Sequence, residues 1–195
     1  MNKSHLIYLA SPAWAQALRA DLLPWLETVA DLGDDVLEVG PGPGLTTDLL
    51  RERVTAVTAV EIDPTLAAAL TVRLAGTNVE VIQGDAGTTD LSDDRFSAAT
   101  CFSMLHHIPT RQEQDRLFRE IHRVLRPDGV LVAVDSLDTE PIRQAHIDDV
   151  FVPLDAETLG TRLEQAGFCD ITIVRAGEFP IRGDQIRFTA RKPSL

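Results

Sequence analysis

Three glycines at alternate positions follow the first apolar run of strand length in this chain. The run Val36–Val39 contains an acidic residue, Glu38, and leads directly into Gly40-Pro41-Gly42-Pro43-Gly44. Glycine permits a tight turn and lets a ligand approach the backbone where a Cβ would block it. A loop of this kind after a first strand is typical of parallel α/β sheets that bind a nucleoside-bearing ligand at the strand end.

The residues within and after this loop argue against the commoner phosphate-binding loops. Pro41 and Pro43 lack the backbone N–H groups that would hold a phosphate. A dinucleotide fingerprint requires Gly or Ala three residues after Gly42, where this chain has Leu45, and no Gly-Lys-Ser/Thr follows to mark a P-loop. The loop therefore predicts binding of a nucleoside without a pyrophosphate.

Length and composition indicate one domain over residues 1–195. With 195 residues and 44% hydrophobic residues, the chain can bury one substantial core but not two. No run approaches the roughly 18 apolar residues of a membrane span, and the N-terminus lacks the pattern of a signal peptide. We therefore expect no membrane span and a cytoplasmic location. Oligomeric state is left open.

Cysteine spacing and charge narrow the classes of function. Cys101 and Cys169 are the two cysteines and have no metal-binding spacing, so neither a disulfide framework nor a metal site is predicted. The net charge of −12 makes nucleic acid an unlikely partner, because nucleic-acid affinity comes largely from basic groups meeting phosphates. Four arginines do share helical spacing, which an ordinary solvated helix face explains. They are Arg116, Arg119, Arg123 and Arg126.

Short β-branched runs alternate with helical patterns along the chain. Strands are predicted at 36–39, 57–62, 79–82, 98–102, 130–134, 171–174 and 185–190. Helices are predicted from about Leu45, from Pro64 and over Gln112–Leu125. Strands separated by helices imply right-handed crossovers and a mostly parallel sheet covered on both faces. The last two predicted strands are too close for a crossover helix, so they should pair antiparallel at one sheet edge.

The predicted fold class is therefore α/β, with a single doubly wound, mostly parallel seven-stranded Rossmann-like sheet and an antiparallel C-terminal edge hairpin. The nucleoside-binding core is expected over residues 36–135. Residues 1–30 predict a helical lid, with Pro12–Val29 interrupted at Pro24, and residues 136–154 predict a candidate substrate lid. Ordinary helix packing with a wet outer face would explain the second segment equally well.

Acidic side chains lie at three successive predicted strand ends. They are Glu38, Glu61 and Asp85. Ligands in such a sheet bind beyond the carboxyl ends of the strands, near the point where strand order reverses. Glu61 follows Gly40 by 21 residues, about the offset at which a carboxylate accepts both ribose hydroxyls. Any one of these acids alone would be a solvated loop acid or a helix cap. Together with the glycine loop they predict nucleoside binding.

These motifs resemble, in order, those of the class I S-adenosylmethionine-dependent methyltransferases. The resembling segments are Glu38–Gly44, Val60–Asp63, Gly84–Ala86, Met104–Ile108 and Leu117–Gly129. The resemblance implies an S-adenosylmethionine-dependent methyltransferase, with S-adenosylmethionine as cofactor and S-adenosylhomocysteine as product.

The resemblance also implies a set of cofactor-binding residues. Gly40, Gly42 and Gly44 would let the loop approach the methionyl and ribosyl parts, and Glu38 would help to hold the amino group. The remaining roles fall to residues at the next three strand ends: Glu61 for the ribose hydroxyls, Ile62 and Ala86 for the adenine faces, Asp85 for the adenine amine, and Phe102 and Ser103 beside the sulfonium. Asp63 has a simpler expected role as the N-cap of the helix that starts at Pro64.

Two adjacent histidines, His106 and His107, follow the fourth predicted strand. A base is needed only if the attacking atom of the acceptor carries a proton that must leave before methyl transfer. The two histidines are the candidate catalytic residues for that role, or for donating a hydrogen bond to the acceptor. Capping the following helix or packing around Pro109 would explain them as well.

The acceptor is predicted to be a small molecule. The glycine loop and Val60–Asp63 look like those of the ribosomal RNA adenine dimethylases, but the Asn/Asp-Pro-Pro-Tyr/Phe element of amino-group methyltransferases is replaced by Ser103-Met104-Leu105-His106. This departure and the acidic charge balance count against an RNA substrate. An RNA or protein methyltransferase and a catalytically silent cofactor-binding module remain alternatives, and a nucleotide oxidoreductase is the weakest.

Overall fold

The computed structural model describes residues 3–175 and 184–194. It contains one seven-stranded sheet with the order β3-β2-β1-β4-β5-β7-β6. The strands are β1 Asp35–Val39, β2 Ala56–Glu61, β3 Val79–Gln83, β4 Phe96–Phe102, β5 Leu125–Ser136, β6 Cys169–Arg175 and β7 Gln185–Arg191. Each lies at a predicted position, and the predicted fold class is confirmed.

The helices connect the strands and cover both faces of the sheet. In chain order they are α1 Lys3–Leu9, α2 Pro12–Ala17, a π-helical turn Leu18–Leu22, α3 Leu23–Val29, α4 Leu45–Arg51, α5 Pro64–Arg73, a 3₁₀ turn Leu105–His107, α6 Arg111–Val124, α7 Glu140–Ala145 and α8 Leu159–Gln165. None of the helices in the described ranges has the length and apolar character needed to cross a membrane.

The C-terminal strands pair as the short connection predicts. β7 runs antiparallel to both of its neighbours, β5 and β6, so β6 forms the edge of the sheet. Residues 176–183, which make most of the predicted hairpin connection, lie outside the described residues. The reversal brings the start of β7 to the same sheet edge as the end of β5, where Val134 is paired with Arg187.

Two details differ from the sequence prediction. The N-terminal helical segment changes geometry at the π-helical turn Leu18–Leu22 and not at Pro24. Pro24 lies in the first turn of α3, where a missing N–H costs little. The strand β5 begins before the predicted range 130–134, because Arg126–Gly129, after the end of α6, form its irregular start, which has a register shift between Phe96 and Ala98 of β4.

Two apolar layers hold the sheet between the helices. On one face α6 packs its stripe of Leu117, Phe118, Ile121 and Val124, joined by Leu159 and Leu163 of α8. On the other face α3 and the π-helical turn meet α4 over β1, β2 and β5. Burial of each such side chain contributes about 1.5–3 kcal/mol, so the sheet is a rigid base for the loops at its carboxyl edge.

Local capping sets where two of these loops end. The Asp63 carboxylate accepts from the N–H groups of Thr65 and Leu66 at 2.8 and 3.0 Å, which confirms Asp63 as the N-cap of α5. Thr110 caps α6 and exchanges hydrogen bonds with Glu113, which forms a capping box. Both helices therefore begin a few residues beyond the ends of β2 and β4.

Candidate functional site

The carboxyl ends of β3, β2, β1 and β4 lie side by side in that order. Strand order reverses between β1 and β4, so the loop that follows β1 opens onto the crevice where α/β proteins bind ligands. The ten predicted cofactor-binding residues come from these four strand ends. The fold thus brings the four sequence motifs to one edge of the sheet.

Each glycine of the loop has a left-handed φ, and the three glycines serve different purposes. A Cβ on Gly44 would clash with Arg73 and Leu70, and one on Gly40 would lie 3.0 Å from Cβ of Met104. These two positions are small because the fold packs against them. A Cβ on Gly42 would meet no atom within 4 Å, so its backbone faces space that a ligand can enter.

Glu61 links the glycine loop to the end of β2. Its side chain is buried; Oε2 accepts from the Gly42 N–H and Oε1 from the Asp63 N–H, each at 2.9 Å. A carboxylate offers about four lone-pair positions, so two backbone donors leave capacity for ribose hydroxyls. The loop conformation and the predicted ribose contact therefore depend on the same side chain.

Glu38 lies beneath the loop in a fully buried position. Burial raises the pKa of Glu38 to about 7, although a hydrogen bond from the Thr46 hydroxyl to Oε1 acts in the opposite direction. Its Oε2 is buried and has no hydrogen-bond partner. An unpaired buried carboxylate oxygen favours a cationic or N–H donor next to it.

The side of the site formed by β2 and β3 is open to solvent. Ile62 is 67% exposed at this strand end and could contact a flat apolar ligand. Asp85 is also exposed, and its carboxylate accepts from Arg116 Nη2 at 2.7 Å and from the Gly87 N–H at 2.8 Å. Ala86 is half-buried beside it.

The end of β4 faces the loop from the other side. Ser103 has a φ of 55°, a left-handed conformation that is rare outside glycine, and its N–H donates to the Val134 carbonyl at 2.7 Å. Met104 packs against Gly40. Strained backbone of this kind clusters at functional sites, which agrees with the predicted position of Ser103 beside the ligand.

A pocket lies between the N-terminal helices, the glycine loop and the ends of β4, β5 and β7. Its lining is mainly apolar, with polar groups from Asp21, Thr46, Ser103, Gln185 and Arg187. Apolar lining residues include Leu9, Trp14, Leu18, Leu22, Phe102, Met104 and Val134. The predicted lid segment 1–30 therefore borders the pocket, whereas its function as a lid stays a prediction.

Arg187 contributes a buried positive charge to the lining of this pocket. Its side chain is 1% exposed, donates from Nη2 to Asp21 Oδ2 at 2.5 Å and lies over the Trp25 ring with Cζ 5.2 Å from the ring centroid. Nε and Nη1 are buried without a hydrogen-bond partner. A buried guanidinium with two unpaired donors favours a further anionic or carbonyl acceptor next to it.

The two predicted catalytic histidines lie in a buried polar cluster just beyond β4. His106 Nδ1 is 2.6 Å from Asp135 Oδ1 at the end of β5, and His106 Nε2 is 3.1 Å from Nε2 of His146, which follows α7. His107 is more exposed, and its Nδ1 is 3.2 Å from the Val150 carbonyl oxygen. Neither His106 nor His107 lines the pocket, and their catalytic role stays a prediction.

Four functional candidates escaped the sequence reasoning as site residues. They are Asp21, Asp135, His146 and Arg187. Asp135 carried a usable signal, because it ends a strand as Glu61 does. Arg187 alternates with Ile186 and Phe188 in β7, a pattern that predicts an exposed side chain, so its burial could not be inferred from the sequence. The other two come from segments far away in sequence, and only contact in the fold reveals them.

Three of the four arginines with helical spacing form ion pairs with acidic side chains. Arg116 binds Asp85, Arg123 binds Glu120 and Asp93, and Arg126 binds Asp34. Arg123 holds the pKa of Glu120 well below its usual range, at about 2. These arginines are thus compensated locally, as expected for a solvated helix face.

Comparison with known proteins agrees with this architecture. Residues 37–133 match the model of the methyltransferase domain family, which is about half of the chain. A structure of an S-adenosylmethionine-dependent methyltransferase from Aquifex aeolicus superposes with a TM-score of 0.74 at 20% identity, covering 98% of each chain. The chain belongs to the class I S-adenosylmethionine-dependent methyltransferases, as the sequence motifs predicted.

Relatives within this family have different substrates. A protein of Mycobacterium tuberculosis named as a probable S-adenosylmethionine-dependent methyltransferase is 32% identical over 71% of this chain and 50% of its own length. A ubiquinone biosynthesis O-methyltransferase of Pseudomonas syringae is 32% identical over 54% and 46%, respectively. A small-subunit ribosomal RNA methyltransferase of Methanothermobacter thermautotrophicus is 48% identical over 33% and 24%. The chain thus spans about half the length, or less, of these curated relatives.

Proposed function

We propose that this protein transfers the methyl group of S-adenosylmethionine to a small-molecule acceptor. The observation that carries the proposal is the pocket under the N-terminal helices, which joins the glycine loop and includes the buried Arg187. A concave, largely apolar pocket with few polar groups suits a small organic ligand. A folded nucleic acid would need an open and basic surface.

The residues at the strand ends fit the predicted cofactor contacts. Gly42 leaves room for a ligand, and Glu61 has acceptor capacity for the ribose hydroxyls. Glu38 offers a buried unpaired oxygen through which the loop can accommodate the cofactor's amino group. The exposed Ile62 and the Asp85 carboxylate suit an adenine ring and its amine. The cofactor supplies an electrophilic methyl group on a sulfonium.

Catalysis then requires orientation and exclusion of water more than acid–base chemistry. Phe102 and Ser103 line the pocket at the end of β4, where the resemblance places the sulfonium. The N-terminal helices cover the same pocket and would exclude water from the acceptor. The segment 136–154 supplies His146 to the cluster beside the pocket, and we propose it as a second cover over the acceptor.

The surroundings of the two histidines determine which of them is accessible enough to act as a general base. Both ring nitrogens of His106 lie at hydrogen-bonding distance from protein groups, and its side chain is 1% exposed. His107, with 15% of its side chain exposed, is the more accessible candidate. An acceptor atom that arrives without a proton needs neither.

An RNA acceptor is the second candidate function, because ribosomal RNA methyltransferases match part of the chain. Those matches cover about a third of the chain. Of the four arginines with helical spacing, Arg116, Arg123 and Arg126 are paired with acids, and the net charge is −12. These features favour a small molecule over a polyanion.

The test is transfer of a labelled methyl group from S-adenosylmethionine into fractionated metabolites, RNA and protein. We expect label in the metabolite fraction, and much less label with Glu61→Ala when the cofactor concentration is limiting. Label in RNA or protein alone would overturn the small-molecule assignment. Binding of S-adenosylhomocysteine without transfer to any fraction would indicate a catalytically silent cofactor-binding module.

Arg187 extends this proposal to the chemistry of the bound ligand. Arg187 lines the pocket with a buried positive charge, which favours an anionic group there; a carboxylate from either the methionyl end of the cofactor or the acceptor can provide it. Arg187→Met keeps the apolar stem and removes the guanidinium. Arg126→Met, which removes an exposed arginine paired with Asp34, is the matched control.

Two measurements separate the two sources of the carboxylate. If the cofactor provides it, Arg187→Met should weaken S-adenosylhomocysteine binding by at least about tenfold and leave binding of 5′-methylthioadenosine, which lacks the carboxylate, unchanged. If the acceptor provides it, the acceptor KM should rise while S-adenosylhomocysteine affinity persists. Arg187→Lys preserves the charge if the Met variant fails to fold. Wild-type behaviour in both measurements would contradict the assignment.

A further inference from the structure

Three of the chain's histidines converge from two segments beyond the sheet. His106 and His107 lie in the 3₁₀ turn after β4, and His146 lies directly after α7. One ring nitrogen from each lies within 4.8 Å of the others. His106 and His146 are buried, and His107 is half-buried.

The Nδ1 atom of each histidine faces an oxygen acceptor. His146 Nδ1 is 2.7 Å from the Ile142 carbonyl, His107 Nδ1 is 3.2 Å from the Val150 carbonyl, and His106 Nδ1 is 2.6 Å from the Asp135 carboxylate. A carbonyl oxygen only accepts, so Nδ1 of His146 and of His107 carries the hydrogen in these contacts.

Asp135 requires the same arrangement at His106. The Asp135 carboxylate already accepts from the Leu105 N–H at 2.8 Å and from the Ser136 N–H at 2.7 Å. The carboxylate thus acts as an acceptor toward its neighbours, and His106 Nδ1 is the donor to it. The tautomers of His106 and His146 are therefore both assigned with hydrogen on Nδ1.

This assignment turns two lone pairs toward each other. Nε2 of His106 and Nε2 of His146 are 3.1 Å apart, and in these tautomers each is an acceptor. Two acceptors at this distance repel unless a positive species lies between them. That species is either one extra proton or a metal ion.

The surroundings match a metal site more closely than a shared proton. Histidines that bind a metal donate their other ring N–H to a carboxylate or a backbone carbonyl, and all three histidines here do so. Two imidazole nitrogens bound tetrahedrally at about 2.0–2.1 Å from zinc would be about 3.3 Å apart. The His106–His146 distance of 3.1 Å agrees with that value. The three ligand atoms lie within 4.8 Å of one another, so the half-buried His107 needs a shift of up to about 1.5 Å.

We propose that His106, His107 and His146 form a site for a divalent transition metal of the zinc or cobalt class, with Asp135 as the carboxylate that orients His106. Three imidazole donors suit these ions and exclude magnesium or calcium, which prefer oxygen. The sequence predicted no metal site because its motifs contain no paired cysteines and because His146 is far from the other two histidines.

The ion would fasten the segment after α7 to the carboxyl edge of the sheet. Other contacts already join these regions: the Val152 N–H donates to the His106 carbonyl at 2.8 Å, and Gln114 Nε2 donates to the carbonyls of Leu105 and Val152. None of the three histidines lines the pocket. We infer that the metal is a structural tie, and a histidine that binds it cannot also act as the general base of methyl transfer.

The test uses the untagged full chain, stripped with a chelator and then titrated with Zn²⁺ or Co²⁺. We expect one bound ion per chain by elemental analysis, visible absorption of Co²⁺ at a low-coordinate nitrogen site, and a higher melting temperature with Zn²⁺. His146→Gln should abolish the Co²⁺ absorption and the rise in melting temperature. His122→Gln, which changes a histidine outside the cluster, is the matched control.

The orienting carboxylate gives a graded readout. Asp135→Asn should weaken metal affinity by about 10- to 100-fold without abolishing the site. Absence of metal binding to the wild-type chain would overturn the proposal and leave the shared proton as the explanation. Equal metal binding by the wild type, His146→Gln and His122→Gln would overturn it as well. Neither result bears on methyl transfer, which is measured separately.

Discussion

The two sides of the strand-end crevice are built differently. On the side of β2 and β3, Ile62 and Asp85 are exposed and Glu61 is held by the N–H groups of nearby loop residues. On the side of β4, β5 and β7, buried polar groups meet across long stretches of chain. Arg187 pairs with Asp21, and His106 joins Asp135 to His146.

We expect this difference to determine whether a substitution lowers ligand affinity or the stability of the fold. A side chain that is exposed or held by local backbone can be replaced with little cost to the fold, so its loss appears as weaker ligand binding. A buried polar group that pairs across the structure leaves an unpaired partner when it is removed, so its loss appears first as lower stability. Four substitutions test this division.

The largest effect is expected for His106→Ala on the buried side. Removal of the ring leaves Asp135 and His146 without their shared partner and creates a cavity, so the free energy of unfolding should fall by about 3 kcal/mol. His107→Ala, at a half-buried position, should cost about 1 kcal/mol. Urea unfolding in the presence of a chelator measures both.

The same two variants test the predicted general base. If one of the two histidines is the base, its replacement should lower turnover by about 10²- to 10⁴-fold with cofactor affinity unchanged. Wild-type turnover in both single variants and in the double variant would end that prediction. Equal stability losses for His106→Ala and His107→Ala would contradict the division between buried and exposed groups.

Glu38 should make stability depend on pH. Its folded-state pKa of about 7 lies above the usual 4.5, so the native chain binds more protons than the unfolded chain between these values. The free energy of unfolding of the ligand-free protein should therefore fall as pH rises from about 4.5 to about 7, by at most about 3 kcal/mol, and level off above that.

Glu38→Gln cannot titrate and should remove this part of the pH dependence. The control Glu52→Gln changes a half-exposed glutamate and should leave the pH dependence unchanged. Unfolding by urea at about pH 5 and about pH 8 gives the comparison. An unchanged pH profile in Glu38→Gln would show that the carboxylate is solvated in the native state.

Glu61→Ala should act on affinity more than on stability. Loss of the ribose contacts and of the brace to Gly42 should weaken S-adenosylhomocysteine binding by about 1.5–3 kcal/mol, or about 10- to 150-fold. Glu61→Gln keeps one acceptor oxygen and should lose less. Calorimetric titration measures this affinity. Wild-type affinity in a folded Glu61→Ala variant would refute the assignment of Glu61 to the ribose hydroxyls.

Asp85→Ala should have the smallest effect. Its carboxylate is 44% exposed and already pairs with Arg116, so water can replace much of a contact to an adenine amine. We expect a loss of less than about 1 kcal/mol in cofactor affinity and a negligible change in stability. A loss as large as that of Glu61→Ala would show that the adenine side is more enclosed than its exposure indicates.

Much of the site at the ends of β1, β2 and β3 could be predicted from the sequence, because nearby residues shape each turn there. The strand run before Gly40 and the Asp63 cap lie within a few residues of the turns they shape, and Glu61 accepts from the N–H of Asp63, two residues further on. The alternation of strands and helices then determines that their ends meet at one edge. The seven strands and the reversed β7 followed from the same pattern.

The buried pairs on the side of β4, β5 and β7 could be identified only from the tertiary structure. Asp21 and Arg187 are in contact although they are 166 positions apart in the sequence, and His106 and His146 are 40 positions apart. No periodicity links such residues, because their proximity results from helix packing and from the reversal of β7 after the sheet has formed. The sequence by itself determined the family, the fold and the cofactor-side motifs. Only the folded chain decided which charges are buried together, because burial and pairing are properties of contacts between distant segments.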